Sequence, residues 1–335
     1  MRHTRFHEKI ARIQQDPSNN KDFIICDAKD SDMGFGRSHT GLDRNRQGAE
    51  LHYKTQAQFI DQIEKIVEQD VVDLMLMSVS VFEKTAVQNK LFDNTEIATA
   101  IRANDATDAW AHRHTHYREE ASLPFRTADL RHLRNNPKWD REVDMGLYSI
   151  TFNNQVASDK ATLEAYNQFR REAEDRGFPH FLEVFNPNTS ANLAPEDVPY
   201  FVNDCIVRTL AAVPSQARPL FLKTVYNGPK AMEELCDYDP GLIVGVLGGS
   251  SGTTRDCFQL IHDAQKYGAR LALFGRKINL AEDPLGIIQL MRAIADRDIT
   301  PEQAVHAYHS GLENKNIKPM RPLKEDLEIT DPTLM

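Results

Sequence analysis

Eight short apolar runs, each followed by a longer segment, constrain the fold of this chain more than any other feature of its sequence. They are FIICD (23–27), VVDLMLMSV (71–79), IATAIRAN (97–104), VDMGLYSITF (143–152), HFLEVFN (180–186), PLFLKTV (219–225), LIVGVLGG (242–249) and ARLALFG (269–275). A strand that is apolar on both faces must be covered on both. Segments with helical spacing lie between the runs, among them QAQFIDQIEKIVEQ, DKATLEAYNQFRREAEDRG and TTRDCFQLIHDAQKYG. Strands alternating with helices indicate parallel strands joined by helical crossovers. Eight such units in 335 residues predict one (β/α)8 TIM barrel rather than an open doubly wound sheet. The expected barrel core covers about residues 20–315, with a helix over 1–16 and a tail over 316–335 at its periphery. Two stretches, 28–55 and 105–140, exceed a minimal connection and read as long loops after the first and third strands, on the catalytic face. The first has the acidic, Gly-rich look of a lid, or is an ordinary surface loop. Near the end, DITPEQAVHAYHSGLEN reads as a helix opened by Thr300, Pro301 and Glu302 and closed by Gly311.

Charge and cysteine content narrow the partners. A net charge of −9 argues against nucleic acid and anionic membranes, which select for a basic face, and leaves small molecules. The N-terminus lacks the apolar core of a signal peptide, and no run approaches the roughly 18 residues of a membrane span, so a soluble cytoplasmic protein is expected. Four separated cysteines without C-x-x-C spacing read as reduced thiols. Assembly with further copies of the chain stays open.

Chemistry on a barrel belongs at the C-terminal ends of the strands, and there the stretch RPLFLKTVYNGP places Lys223 inside an otherwise apolar run. An ammonium is rarely fully buried without a partner. Lys223 is either an edge lysine whose head reaches water, or an amine whose pKa is lowered by desolvation so that it attacks a carbonyl and forms an imine. The two following runs end in turns suited to an anion. LGGSSGTTRD offers Gly248, Gly249 and Ser250 before a helix, and LFGRKI offers Gly275 and Arg276. Loops after strands seven and eight recur as phosphate sites in such barrels, although Gly-rich turns also serve as plain tight connections.

LKTVYNGP, GVLGGSSGTT and ALFGRKINLAEDP together resemble the last three strands of the class I, Schiff-base aldolases, the group that holds deoxyribose-phosphate, archaeal-type fructose-bisphosphate and tagatose-bisphosphate aldolases. The resemblance spans about residues 180–285 and is weaker over 23–30. It implies a TIM barrel, no metal or other cofactor, an imine-forming lysine on the sixth strand at Lys223, phosphate-binding backbone at Gly249 and Ser250, and the Gly-Arg pair at Gly275 and Arg276. In IICDAKD it implies that Asp27 lies near the imine nitrogen, and FLEVFNPN is similar to the tagatose-bisphosphate branch, whose proton-moving glutamate falls on Glu183. Asn186 stands where one branch has a tyrosine, and VDMGLYSI lacks the fourth-strand lysine of another.

The residues themselves add to this. Glu183, between Leu182 and Val184, is expected to face the barrel interior, where desolvation would raise its pKa towards that of a general acid or base; the alternative is a structural ion pair. Asp27 would orient the Lys223 amine, and Tyr226 would either relay a proton or cap the strand. The expected activity is carbon–carbon lysis of a phosphorylated ketose or related carbonyl compound through a lysine imine. Two alternatives remain. One is a catalytically silent barrel that binds a sugar phosphate. The other is a serine hydrolase whose nucleophile elbow is Gly248 to Gly252, with Asp283 or Asp296 and His306 or His309 completing a triad. His112, His114 and His116 alternate as ligands on one strand face would, but no acidic neighbour completes a metal set, and a solvated or substrate-facing loop is favoured.

Overall fold

The computed structural model describes residues 3–43, 52–189, 193–248 and 252–335. All eight apolar runs are strands: β1 Ile24–Lys29, β2 Leu74–Met77, β3 Ala98–Arg102, β4 Met145–Thr151, β5 His180–Phe185, β6 Leu222–Thr224, β7 Val244–Leu247 and β8 Leu271–Phe274. Each pairs in parallel with its neighbours, and β8 returns to β1, so the sheet is a closed barrel.

Strand alternation divides the apolar residues into two layers. Ile24, Cys26 and Ala28 of β1 point inward with Leu74, Ala100, Leu147 and Phe181. Phe23 and Ile25 point outward and meet the helical layer. That layer forms because the helices carry one apolar face. In α2 (Gln56–Gln69), Phe59, Ile63 and Ile66 are fully buried, at about 1.5–3 kcal/mol each, and Thr55 with Gln58 closes a capping box at its start.

The helix expected at the periphery, α1 (Arg5–Gln15), instead plugs the N-terminal end of the barrel. Phe6, Ile10 and Ile13 follow helical spacing and join the interior cluster, Phe6 meeting Phe221 edge-on at 5.9 Å between centroids. On another side of α1, Arg5 Nε and Lys9 Nζ reach the buried carboxylate of Asp73 at 2.9 and 3.0 Å, and Arg292 from α7 (Pro284–Ala295) also reaches it.

Between β3 and β4 there is no α-helix. Residues 103–144 hold a two-stranded hairpin, Asp105–Ala106 against Pro124–Phe125, and short 3-10 turns. The C-terminal helix α8 (Pro301–Asn314) begins at Thr300 as expected, in a capping box that Thr300 forms with Gln303, but it runs through Gly311, whose missing side chain would meet nothing within 4 Å. The tail beyond it folds back onto the first turn of α6 (Thr254–Lys266). Thr254 N donates to Asp326 Oδ1 at 2.7 Å, Thr253 Oγ1 to Glu328 O at 2.7 Å and Thr330 N to Asp256 Oδ1 at 2.8 Å. Among the described residues no helix is long and apolar enough to cross a membrane.

Candidate active site

The parallel register sets a polar row across the inner wall. Ser149 of β4 pairs with Glu183 of β5, Glu183 with Lys223 of β6, and Lys223 with Gly245 of β7. Neighbouring strands are about 4.8 Å apart, so these side chains must meet or find other partners. Glu183 takes both neighbours: its Oε1 contacts Lys223 Nζ, and Ser149 Oγ donates to its Oε2 at 2.6 Å. Glu183 is 1% exposed and Lys223 7%, so the pair is almost dry.

A second cation and a second carboxylate complete the group. Arg102, the last residue of β3, donates from Nη1 to Asp30 Oδ2 at 3.0 Å and from Nη2 to Ser149 Oγ at 3.1 Å, and its Nη1 lies 3.8 Å from Glu183 Oε2. Its Nε donates to Asn104 O at 3.0 Å. Asn104 in turn braces β4, accepting from Ser149 N at 2.6 Å and donating to Ser149 O at 2.8 Å. None of Arg102, Asp30, Ser149 or Asn104 was a candidate from sequence. Arg102 carried the same signal as Lys223, a cation at the end of an apolar run.

Three expectations need correction. Burial does push the Glu183 carboxyl upward, but Lys223 and Arg102 beside it more than offset this, and it is held below the ordinary carboxylate value. Asp27 does not orient Lys223. It shares the outward face of Ile25 and forms a buried ion pair with Lys29 at 2.9 Å, and Lys29 also donates to Asn279 Oδ1 in the short helix Arg276–Leu280. The inward acid is Asp30, odd-numbered steps away from Asp27. Tyr226 is buried in the outer layer; burial and the nearby Asp263, Tyr267 and Glu233 push its hydroxyl upward, and it does not join the row.

Of the expected phosphate residues, Gly249 and Ser250 lie outside the described residues. Gly248 directly follows β7, where a Cβ would come 2.4 Å from the Phe274 ring, so glycine is required for close packing of the two strand ends. Gly275 opens the short helix after β8 against Ala28 of β1, with 3.0 Å available to a Cβ. Arg276 lies over the Phe35 ring at 5.8 Å, and desolvation together with Arg118 lowers its pKa. Phe35 also lines a cleft of about 420 Å3 between the loops after β1 and β3, with Arg37, Trp110, His112 and Arg113.

The histidine loop is not a strand, so the alternation of His112, His114 and His116 does not define a common face. His112 meets Trp110 edge-on, His114 has φ 66° and His116 pairs with Glu119 at 3.1 Å. Among the described residues there is no group of three metal-ligating side chains. The serine alternative lacks its setting, because the nucleophile elbow belongs to an open α/β-hydrolase sheet and this sheet is closed. His309 is paired with Asp326 at 3.0 Å and Asp283 with Lys315 at 2.6 Å.

No protein-family model matches the sequence, and no curated protein matches it. Solved structures do match. An archaeal fructose 1,6-bisphosphate aldolase is 14% identical with a TM-score of 0.61, over 87% of this chain and 98% of that one. A Schiff base-forming fructose-1,6-bisphosphate aldolase is 16% identical at 0.61 over the same shares. Fructose-bisphosphate aldolase from Slackia heliotrinireducens is 14% identical at 0.64, over 91% of each chain. The chain shares its fold with these aldolases. In this aldolase-like barrel Lys223 stands on the sixth strand, where the sequence resemblance placed it, with Glu183 beside it on the fifth.

Proposed function

We propose that the protein is a class I aldolase-type carbon–carbon lyase that forms an imine between Lys223 and a phosphorylated ketose or related carbonyl compound. The observation that carries this is the nearly dry contact between Lys223 and Glu183 on the inner wall of a closed barrel. A carboxylate there can take the ammonium proton, which frees the amine to add to a carbonyl. Glu183 then returns the proton to the carbinolamine hydroxyl, which leaves as water, and the iminium remains.

The regenerated Glu183 carboxylate accepts the proton of the substrate hydroxyl as the carbon–carbon bond breaks. An aldehyde departs, and the bonding electrons are held as an enamine on Lys223. Protonation at carbon and hydrolysis of the imine release the second carbonyl fragment and restore the amine. Gly248, Gly249, Ser250, Gly275 and Arg276 hold the phosphate in this proposal.

Borohydride reduction in the presence of a panel of ketose phosphates tests it by intact mass. One ligand is expected to be trapped per chain, and Lys223→Met is expected to abolish the adduct while the fold persists. A label on Lys29, Lys230 or Lys277 would overturn the assignment, and binding of a ketose phosphate without trapping would favour the silent barrel.

A further inference from the structure

Arg102 lies too deep for a surface arginine and is too fully engaged for a spare one. It is 9% exposed, and its three nitrogens reach four elements: the end of β1 through Asp30, its own strand end through Asn104 O, β4 through Ser149 and β5 through Glu183. The Ser149 hydroxyl has one proton. It accepts from Arg102 Nη2 and gives that proton to Glu183 Oε2, so the guanidinium acts on Glu183 both directly and through Ser149.

We infer that Arg102 is a positioning residue that fixes the Glu183 carboxylate beside Lys223 and returns it to the ionised form after each proton it carries. This rests on the proposed imine chemistry. When Glu183 accepts a proton from Lys223, the adjacent guanidinium loses a carboxylate partner. The same guanidinium therefore favours passing that proton on to the departing hydroxyl and restoring the anion. The anion is the form required to accept the substrate hydroxyl proton during cleavage. Lys223 alone cannot maintain it, because the lysine charge changes through the cycle, whereas a guanidinium stays charged throughout.

The charged and titratable groups around Glu183 make the effect readable. Lys223 faces it from β6 and Arg102 from β3; Asp30 and Asp105 flank Arg102, the latter at 4.0 Å, and the Cys26 thiol of β1 lies within electrostatic reach of Lys223. Removing Arg102 takes away one of the two cations that hold Glu183 low against its burial.

The test compares wild type, Arg102→Met and Arg102→Lys in two readouts. The first is the pH profile of kcat/KM on a ketose phosphate that is trapped by borohydride. Arg102→Met is expected to move the acidic limb to higher pH, with about a tenfold loss in rate for each unit of movement at pH values below the limb, and Arg102→Lys is expected to restore most of its position. The second is a titration of the Glu183 carboxyl by carbon-13 NMR of glutamate-labelled protein, which needs no turnover. An equal loss at all pH with an unmoved limb, or an unchanged Glu183 titration in Arg102→Met, would overturn the inference and leave Arg102 a structural brace. Failure of wild type to trap any ketose phosphate would remove the imine proposal instead, while a moved Glu183 titration would still support the electrostatic coupling.

Discussion

Lys223 and Lys29 both stand on barrel strands and are both nearly or fully buried, yet they face opposite ways. Lys223 points into the barrel beside Glu183, and Lys29 points outward to Asp27 and Asn279. Sequence singled out Lys223 and Glu183 because charge inside an apolar run is improbable without a partner, and the two are each other's partners on the inner wall. It misassigned Asp27 because IICDAKD offers two aspartates on opposite faces, and only the closed sheet shows which face is inner. Lys29 in its dry pair is expected to be structural. Burial favours the neutral forms of both partners, raising Asp27 and lowering Lys29, although their mutual attraction opposes this. Lys29→Met would leave Asp27 buried without its cation, and should lower stability by about 3–5 kcal/mol in urea unfolding while borohydride still labels Lys223.

At the level of elements, the strands were legible and their covers were less so. Buried parallel strands carry their signal within a few residues, and all eight runs formed. The apolar stripe of α1 was equally visible, but a stripe does not say which surface it covers; the open lower end of the barrel takes it. Its fastening to Asp73 joined residues far apart in sequence, and no local pattern records that. Burial acts to raise the Asp73 carboxyl, but Arg292 and Lys9 outweigh it and hold it below 3.8. A carboxylate lowered in this way contributes its full stability above the ordinary value and loses it as the pH falls through the lower native one. Unfolding free energy measured as the pH is lowered through and below the ordinary carboxylate range should therefore slope less in Asp73→Asn than in wild type. At neutral pH that variant should be less stable by roughly 3 kcal/mol, with α1 the first segment to lose hydrogen-exchange protection.

For the whole molecule, the two ends of the barrel do different work. The lower end is sealed by apolar packing and the Asp73 cluster, whereas the upper end gathers Arg276, Phe35 and the loops after β1 and β3. If Arg276 holds a phosphate remote from the bond that breaks, Arg276→Ala should weaken phosphorylated ketoses by about ten- to a hundredfold and spare their unphosphorylated analogues. Equal losses in KM for both would remove that role. The barrel was legible from the count and order of its strands; the contents of the long third loop were not, because turns and a short hairpin leave no periodicity to read. Closure has a further consequence in time. β1 has β2 on one side and β8 on the other, so its second edge stays open until the eighth strand is in place, and Phe6 cannot find Phe221 until the sixth has joined. Loop-closure entropy must be met before either contact repays it. The packing of Phe6 on Phe221 is thus a late contact, one that the first strands cannot supply, whereas the bonds of α1 to Phe23 and Asp73 need only the start of the chain and the approach to the second strand.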